Sequence, residues 1–195
     1  MFAPSSSNPG RRLLDRPLDL AFFIYFVVHI PTTIFIDSQI LLPSAYVPAA
    51  LNGLIRFWID LSGDPFIQLD GLGLVPGNVW FQTFVACELL IQLPFFFYAA
   101  FGLYRDAPGV RLPLGLYGAH VATTVLPILT SVWFGEPQLG GDQRLLLTAV
   151  YVPYFVVPLL MVAQALYRAT CTAYSGSVSE CPATARRLST EKKES

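Results

Sequence analysis

Apolar residues in this chain gather into four long blocks, at residues 18–42, 79–103, 112–134 and 145–167. About 20 apolar residues carry a helix across the ~30 Å hydrocarbon core of a bilayer, so each block predicts a transmembrane helix. Every block contains proline: Pro31, Pro94, Pro127, and then Pro153 with Pro158. Each removes a helical hydrogen bond and tends to kink its helix. The pattern predicts an all-α bundle of four proline-kinked transmembrane helices, open enough between them for an intramembrane ligand pocket.

Between the first two blocks, residues 49–61 space their apolar groups like a short amphipathic helix at the membrane interface. Residues 62–66, S-G-D-P-F, read as a turn. The glycine-rich residues 71–78 carry no phosphate-binding or dinucleotide pattern and read as a linker. Residues 1–17 form a basic, Pro/Ser/Gly-rich leader and residues 168–195 a polar tail, both expected to be disordered on the cytosolic side. One membrane domain, residues 18–167, lies between them. A secretory signal would have an apolar run of about 7–15 residues, shorter than the first block, so an uncleaved span is expected.

Composition agrees with this picture. Apolar residues make up 54% of the chain and charged residues 13%, against ~25% charged in soluble proteins. A net charge of −1 offers no electrostatic basis for binding nucleic acid. The three cysteines, Cys87, Cys171 and Cys181, are too scattered to read as a disulfide framework. Cys171, just past the last block, reads as an idle thiol, with palmitoylation as the alternative. Arginines and lysines concentrate in the leader, the second-to-third loop and the tail, which predicts cytosolic termini. Lys192 and Lys193, fourth and third from the end, look like a dilysine endoplasmic-reticulum retrieval signal.

Two acids, Asp37 and Glu88, fall well inside the apolar blocks. A charge at that depth costs ~2.5–3.5 kcal/mol even on the gentlest scale, and such residues mark functional sites. Counting ~1.5 Å per residue puts both in the same half of the membrane, Glu88 roughly 13 Å in. Two carboxyls in one pocket titrate as a pair, and a protonated one bonded to an ionised one would form a cation-binding site. The alternative is that each caps backbone groups freed by a nearby proline. Helical spacing adds polar groups: His29, Thr33 and Asp37 step by four, as do Glu88 with Gln92 and His120 with Thr124. Tyr151 and Tyr154 lie three apart. Lipid rejects such stripes, so they are expected to face one another inside the bundle. No metal cluster or cofactor pattern is found: the two histidines are isolated and Cys87 has no CxxC partner. A nucleophile elbow is also missing.

Five stretches carry a family resemblance: H-I-P-T-T-I-F-I-D at 29–37, G-D-P-F at 63–66, C-E-L-L-I-Q-L-P-F-F at 87–96, H-V-A-T-T-V-L-P-I-L at 120–129 and Y-V-P-Y-F-V-V-P at 151–158. In order and register they resemble the EXPERA-domain family, the superfamily of emopamil-binding protein, and most closely its sigma-2 receptor (transmembrane protein 97) branch. The resemblance covers all four blocks and leaves out the leader, the glycine-rich linker and the tail. It implies a four-helix endoplasmic-reticulum membrane protein, commonly a homodimer, with a pocket open sideways to the bilayer that takes sterols or cationic amphiphiles. By the same resemblance Asp37 pairs with a ligand amine and Glu88 bonds to Asp37. His29, Gln92, Tyr117, Thr124, Tyr151 and Tyr154 surround the pocket, Phe57 and Trp58 supply a lid, and Asp64 affects binding from its turn.

The expected function is non-enzymatic, cofactor-free binding of a sterol or other lipid that regulates lipid traffic or the stability of a membrane-protein client. Two alternatives stay open. One is an 8-ene to 7-ene sterol isomerase using Asp37, Glu88 and His29 as acid–base groups, since acids in a dry pocket suit both proton steps. The other is an accessory factor in endoplasmic-reticulum quality control or in delivery of precursors to mitochondria.

Overall fold

The computed structural model describes residues 12–67, 78–136 and 138–175. Among them there is no strand, and four helical spans are long and apolar enough to cross a membrane: Pro17–Ile40, Val79–Tyr104, Pro108–Gly135 and Gly141–Cys171. They comprise α1 (Pro17–Phe35), α3 (Val79–Cys87) with α4 (Leu93–Tyr104), α5 (Arg111–Thr130) and α6 (Gly141–Ser175), while α2 (Ala49–Ser62) is the short helix between the first two spans. The linker at 71–77, most of the leader and the dilysine pair lie outside the described residues. Where the tail was expected to be disordered from residue 168, α6 continues to Ser175. Cys87 is a free thiol, but Cys171 is disulfide-bonded, which corrects its reading as idle. Cysteine spacing gave no signal of that bond.

The prolines act differently in each span. In the first, the α-helix ends at Phe35 and a 3-10 turn, Asp37–Ile40, follows. Backbone carbonyls near this break are taken by side chains: Thr32 Oγ1 bonds Val28 O at 3.0 Å, Ser38 Oγ bonds Ile34 O at 2.6 Å, and Gln39 Nε2 bonds Phe35 O at 2.6 Å. Broken helices persist in a membrane only where such groups are met. In the second span a π-turn, Glu88–Gln92, joins α3 to α4 just before Pro94. A proline clashes with the carbonyl four residues back, and one wider turn relieves it. Gly63, with φ 63°, closes α2 in the left-handed conformation that glycine adopts freely, and sets the turn bearing Asp64.

Packing without water rests on fit and polar bonds, because lipid tails are as apolar as leucine. α5 and α6 run against each other so closely that a Cβ on Gly118 would lie 2.4 Å from Pro158 O. One core joins α1, α4, α5 and α6 through Phe22, Phe26, Phe96, Leu103, Tyr117 and Met161. A second gathers Ile40, Ile55, Phe66, Phe81, Val132 and Leu147 where α2 meets the far ends of α1, α3 and α5. Arg144 closes the α5–α6 connection, donating to the carbonyls of Val132, Trp133 (2.8 Å), Glu136 (2.7 Å) and Leu139 (3.2 Å). Those include carbonyls that a helix end leaves without an internal partner.

Candidate functional site

A cavity of about 410 Å³ lies between the two cores. Its wall is mostly apolar, built from residues such as Ile36, Ile55, Phe81, Val125 and Ile128. Polar side chains interrupt it, Asp37 and Glu88 among them. The break after Phe35 places Asp37 at the first position of the 3-10 turn, and the π-turn places Glu88 and Gln92 on the cavity side of the second span. One ligand atom from each of His29, Asp37 and Glu88 lies within 4.8 Å of the other two.

Glu88 is held from two sides. The Thr33 hydroxyl donates to Glu88 Oε1 at 2.5 Å, and His29 Nε2 lies 3.1 Å from the same oxygen. The His29 ring is itself fixed by aromatic neighbours, stacked on Phe96 with centroids 4.6 Å apart and packed beside Tyr154 at 4.7 Å. Asp37 lies in hydrogen-bonding reach of Glu88 and Thr33. Thus His29 and Thr33 orient Glu88, and Asp37 is the carboxyl less engaged by the protein. Three such ligand atoms could also suit a metal ion, and among the described residues the buried His29 Nδ1 has no hydrogen-bond partner.

Of the other residues singled out from sequence, Gln92, Thr124, Tyr151, Tyr154, Phe57 and Trp58 line the cavity, the last two from α2. Tyr117 does not: it is buried in the first core with its hydroxyl 3.0 Å from that of Tyr25. Asp64 sits behind the wall. It accepts from Tyr151 Oη at 2.8 Å, from Trp58 Nε1 at 3.4 Å and from the Phe66 N–H at 3.0 Å. Burial raises the Asp64 carboxyl above the usual range, and these bonds pull it partway back. His120 was expected to face inward with Thr124, but it is exposed on the outside of α5. Residues four apart differ by about 40° around a helix, enough for Thr124 to reach the cavity edge while His120 turns away.

Asp64 thereby ties two cavity-lining rings together. Tyr151→Phe keeps the ring but strips Asp64 of a donor, and a buried acceptor left short costs about 1–3 kcal/mol. Chemical denaturation of the purified variant is expected to show that loss; unchanged stability would mean the bond carries no load.

Sequence reasoning did not anticipate a buried ionic cluster at the opposite end of the bundle. Arg16 Nη1 meets Asp19 Oδ2 at 2.7 Å and Asp106 Oδ1 at 3.1 Å. Arg111 grips Asp19 with both terminal nitrogens and meets Asp106 at 2.9 Å. The available signal was an acid just inside one block and arginines at the same end of another.

The EXPERA (EXPanded EBP superfamily) profile matches residues 50–165. "Sigma intracellular receptor 2" of Xenopus tropicalis is 35% identical over 160 residues, covering 78% of this chain and 90% of that protein. The Homo sapiens protein of the same name is 32% identical over 149 residues, 71% of this chain and 81% of its own. "Efficient mitochondria targeting-associated protein 19" of Schizosaccharomyces pombe is 27% identical over 146 residues, 74% of this chain and 72% of its own. A profile match over more than half the chain, on a four-span helical bundle with these relatives, means that the protein belongs to the EXPERA family of the EBP superfamily.

Proposed function

We propose that this protein binds a sterol or a cationic amphiphile in the cavity between its spans. It acts as a homodimer in the endoplasmic-reticulum membrane with both termini cytosolic, and regulates lipid traffic or the stability of a membrane client. The observation that carries this is the meeting of Asp37 and Glu88 on the wall of a mostly apolar hollow. A cavity of about 410 Å³ falls within the ~300–1,000 Å³ range of small-molecule sites, which typically combine apolar walls with a few polar anchors. One ionised carboxylate opposite an amine, with the second carboxyl bonded to the first, balances charge in a place that tolerates little of it.

An isomerase reading draws support from the 3.1 Å approach of His29 to Glu88 beside Asp37, a cluster of groups able to give and take protons. The purified protein separates the two. Saturable binding of a labelled hydroxysterol, with an added 8-ene sterol recovered unchanged, is the expected result. Conversion to the 7-ene sterol would make the protein an enzyme, and absence of any saturable binding would remove the sterol reading altogether.

A further inference from the structure

Helix α2 carries three faces where an ordinary amphipathic helix carries two. Leu51, Ile55, Trp58 and Ser62 step by four, three and four and turn toward the bundle, Ile55 and Ser62 buried and the other two half-buried. Ala50, Leu54, Phe57 and Leu61 repeat that spacing one position earlier, yet all are exposed. Gly53, Arg56 and Asp60 form a third, exposed and polar face. At 3.6 residues per turn each face takes about a third of the circumference. Leu54, Phe57 and Leu61 leave more than half of their surface outside the protein.

The level of α2 in the membrane identifies what covers that second face. Ile55 shares the second core with Ile40, Phe81, Val132 and Leu147, which lie near the end of the first span, the start of the second, the end of the third and the start of the fourth. Four span ends meet there, so α2 lies at one edge of the hydrocarbon, opposite the edge where Asp19 meets Gln164. Trp133 and Phe134 are exposed at the same edge, where aromatic residues mark the membrane interface. A helix with protein-facing, apolar and polar sides at that level touches the bundle, the acyl chains and the headgroup water at once. Arg56 and Asp60 cancel in charge, so the hold of α2 on the leaflet is apolar and does not favour anionic lipid.

Two of the outward residues, Leu54 and Phe57, also line the cavity and so stand between it and the acyl chains. The hydrogen bonds that tether α2 to its surroundings, Gln39 Nε2 to Leu51 O and Trp58 Nε1 to Asp64 Oδ2, are both 3.4 Å, at the long end of the range. We propose that α2 senses the packing of the leaflet in which it lies. Loosely packed acyl chains take up Leu54, Phe57 and Leu61, draw the helix outward and open the cavity, and tight packing keeps it closed. This regulation rests on the ligand-binding reading given above.

The test uses the full chain in phosphatidylcholine nanodiscs. On a Cys87→Ser background, a fluorophore attached at Leu61→Cys is expected to be quenched by bromine on the acyl chains, and one attached at Asp60→Cys is not. Equal quenching at both positions, or none, would overturn the placement of α2. Leu61 is not among the residues lining the cavity, so Leu61→Gln weakens insertion without altering contacts to a ligand. A bound, labelled tertiary-amine amphiphile chased with excess unlabelled amphiphile reports dissociation independently of its partition into lipid. Dissociation is expected to be about 3- to 15-fold faster in dioleoylphosphatidylcholine than in a tighter mixture with sphingomyelin, the effect of about one or two methylene groups moved into lipid. Leu61→Gln is expected to abolish that difference, and added phosphatidylserine to leave the rates unchanged. Equal rates in the two lipids, a parent-like response in Leu61→Gln, or a shift with phosphatidylserine would each overturn the gate and leave the binding cavity standing. Absence of saturable binding in every lipid would overturn both.

Discussion

A labelled tertiary-amine amphiphile is expected to bind the Asp37→Asn variant about 10- to 150-fold more weakly than the parent, the effect of losing one charge-assisted hydrogen bond. The geometry makes Asp37 the more sensitive of the two acids. Glu88 Oε1 is already occupied by the Thr33 hydroxyl at 2.5 Å and approached by His29 Nε2 at 3.1 Å. Asp37 opens the 3-10 turn at the cavity wall and keeps more of its carboxylate available to a ligand. Glu88→Gln preserves an acceptor for Thr33, so a smaller loss is expected, on the order of tenfold or less. A neutral hydroxysterol tests the same point from the other side. It needs only a hydrogen-bond partner, which asparagine still provides, so its affinity is expected to change only a few-fold. Competition binding with both probes on the three proteins decides the matter. Equal losses for the amine and the neutral sterol would show that shape, not charge, is what Asp37 supplies.

Much of this arrangement was legible before any coordinates, and the reason is physical. Four apolar blocks of membrane length leave a helical bundle as the available architecture, because unsatisfied backbone is intolerable in lipid. Asp37 and Glu88 stood out for the same reason that they meet: each is costly alone, and both fall at similar depth. What was not legible is how prolines alter local register. The π-turn before Pro94 and the break after Phe35 set the two carboxyls, and neither follows from an ideal helical count. His120 shows the limit of reading stripes by four-residue steps, since the 40° offset matters at the edge of a face. The resemblance placed Tyr117 and Asp64 at the pocket, Asp64 within a quoted motif and Tyr117 outside all five, yet a match in sequence does not say whether a residue touches a cavity or packs behind it. The ionic cluster was missed because charges at block ends look like topology markers.

That cluster gives the largest expected effect on folding. Asp19→Ala is expected to destabilise the protein by about 3–5 kcal/mol, the cost of removing one partner from a buried ion pair. The side chains of Arg16 and Asp19 are each 3% exposed, and Asp19 accepts from Arg16, from both terminal nitrogens of Arg111, and from Gln164 at 3.4 Å. Its loss leaves two guanidinium groups sharing Asp106, a residue that itself holds a left-handed backbone, φ 52°, in the turn after α4. Deleting a balancing charge should recover part of the cost: Asp19→Ala with Arg111→Leu returns the cluster to one arginine and one aspartate. The double variant is therefore expected to lose less than the sum of the two single variants. Equilibrium unfolding in mixed micelles measures all three, and additive losses would show that the charges do not act together. Asp19 and Asp37 are separated by about 27 Å of helix rise. Folded Asp19→Ala is accordingly expected to retain its amine affinity, so a change there would mean that the ionic end of the bundle also shapes the cavity.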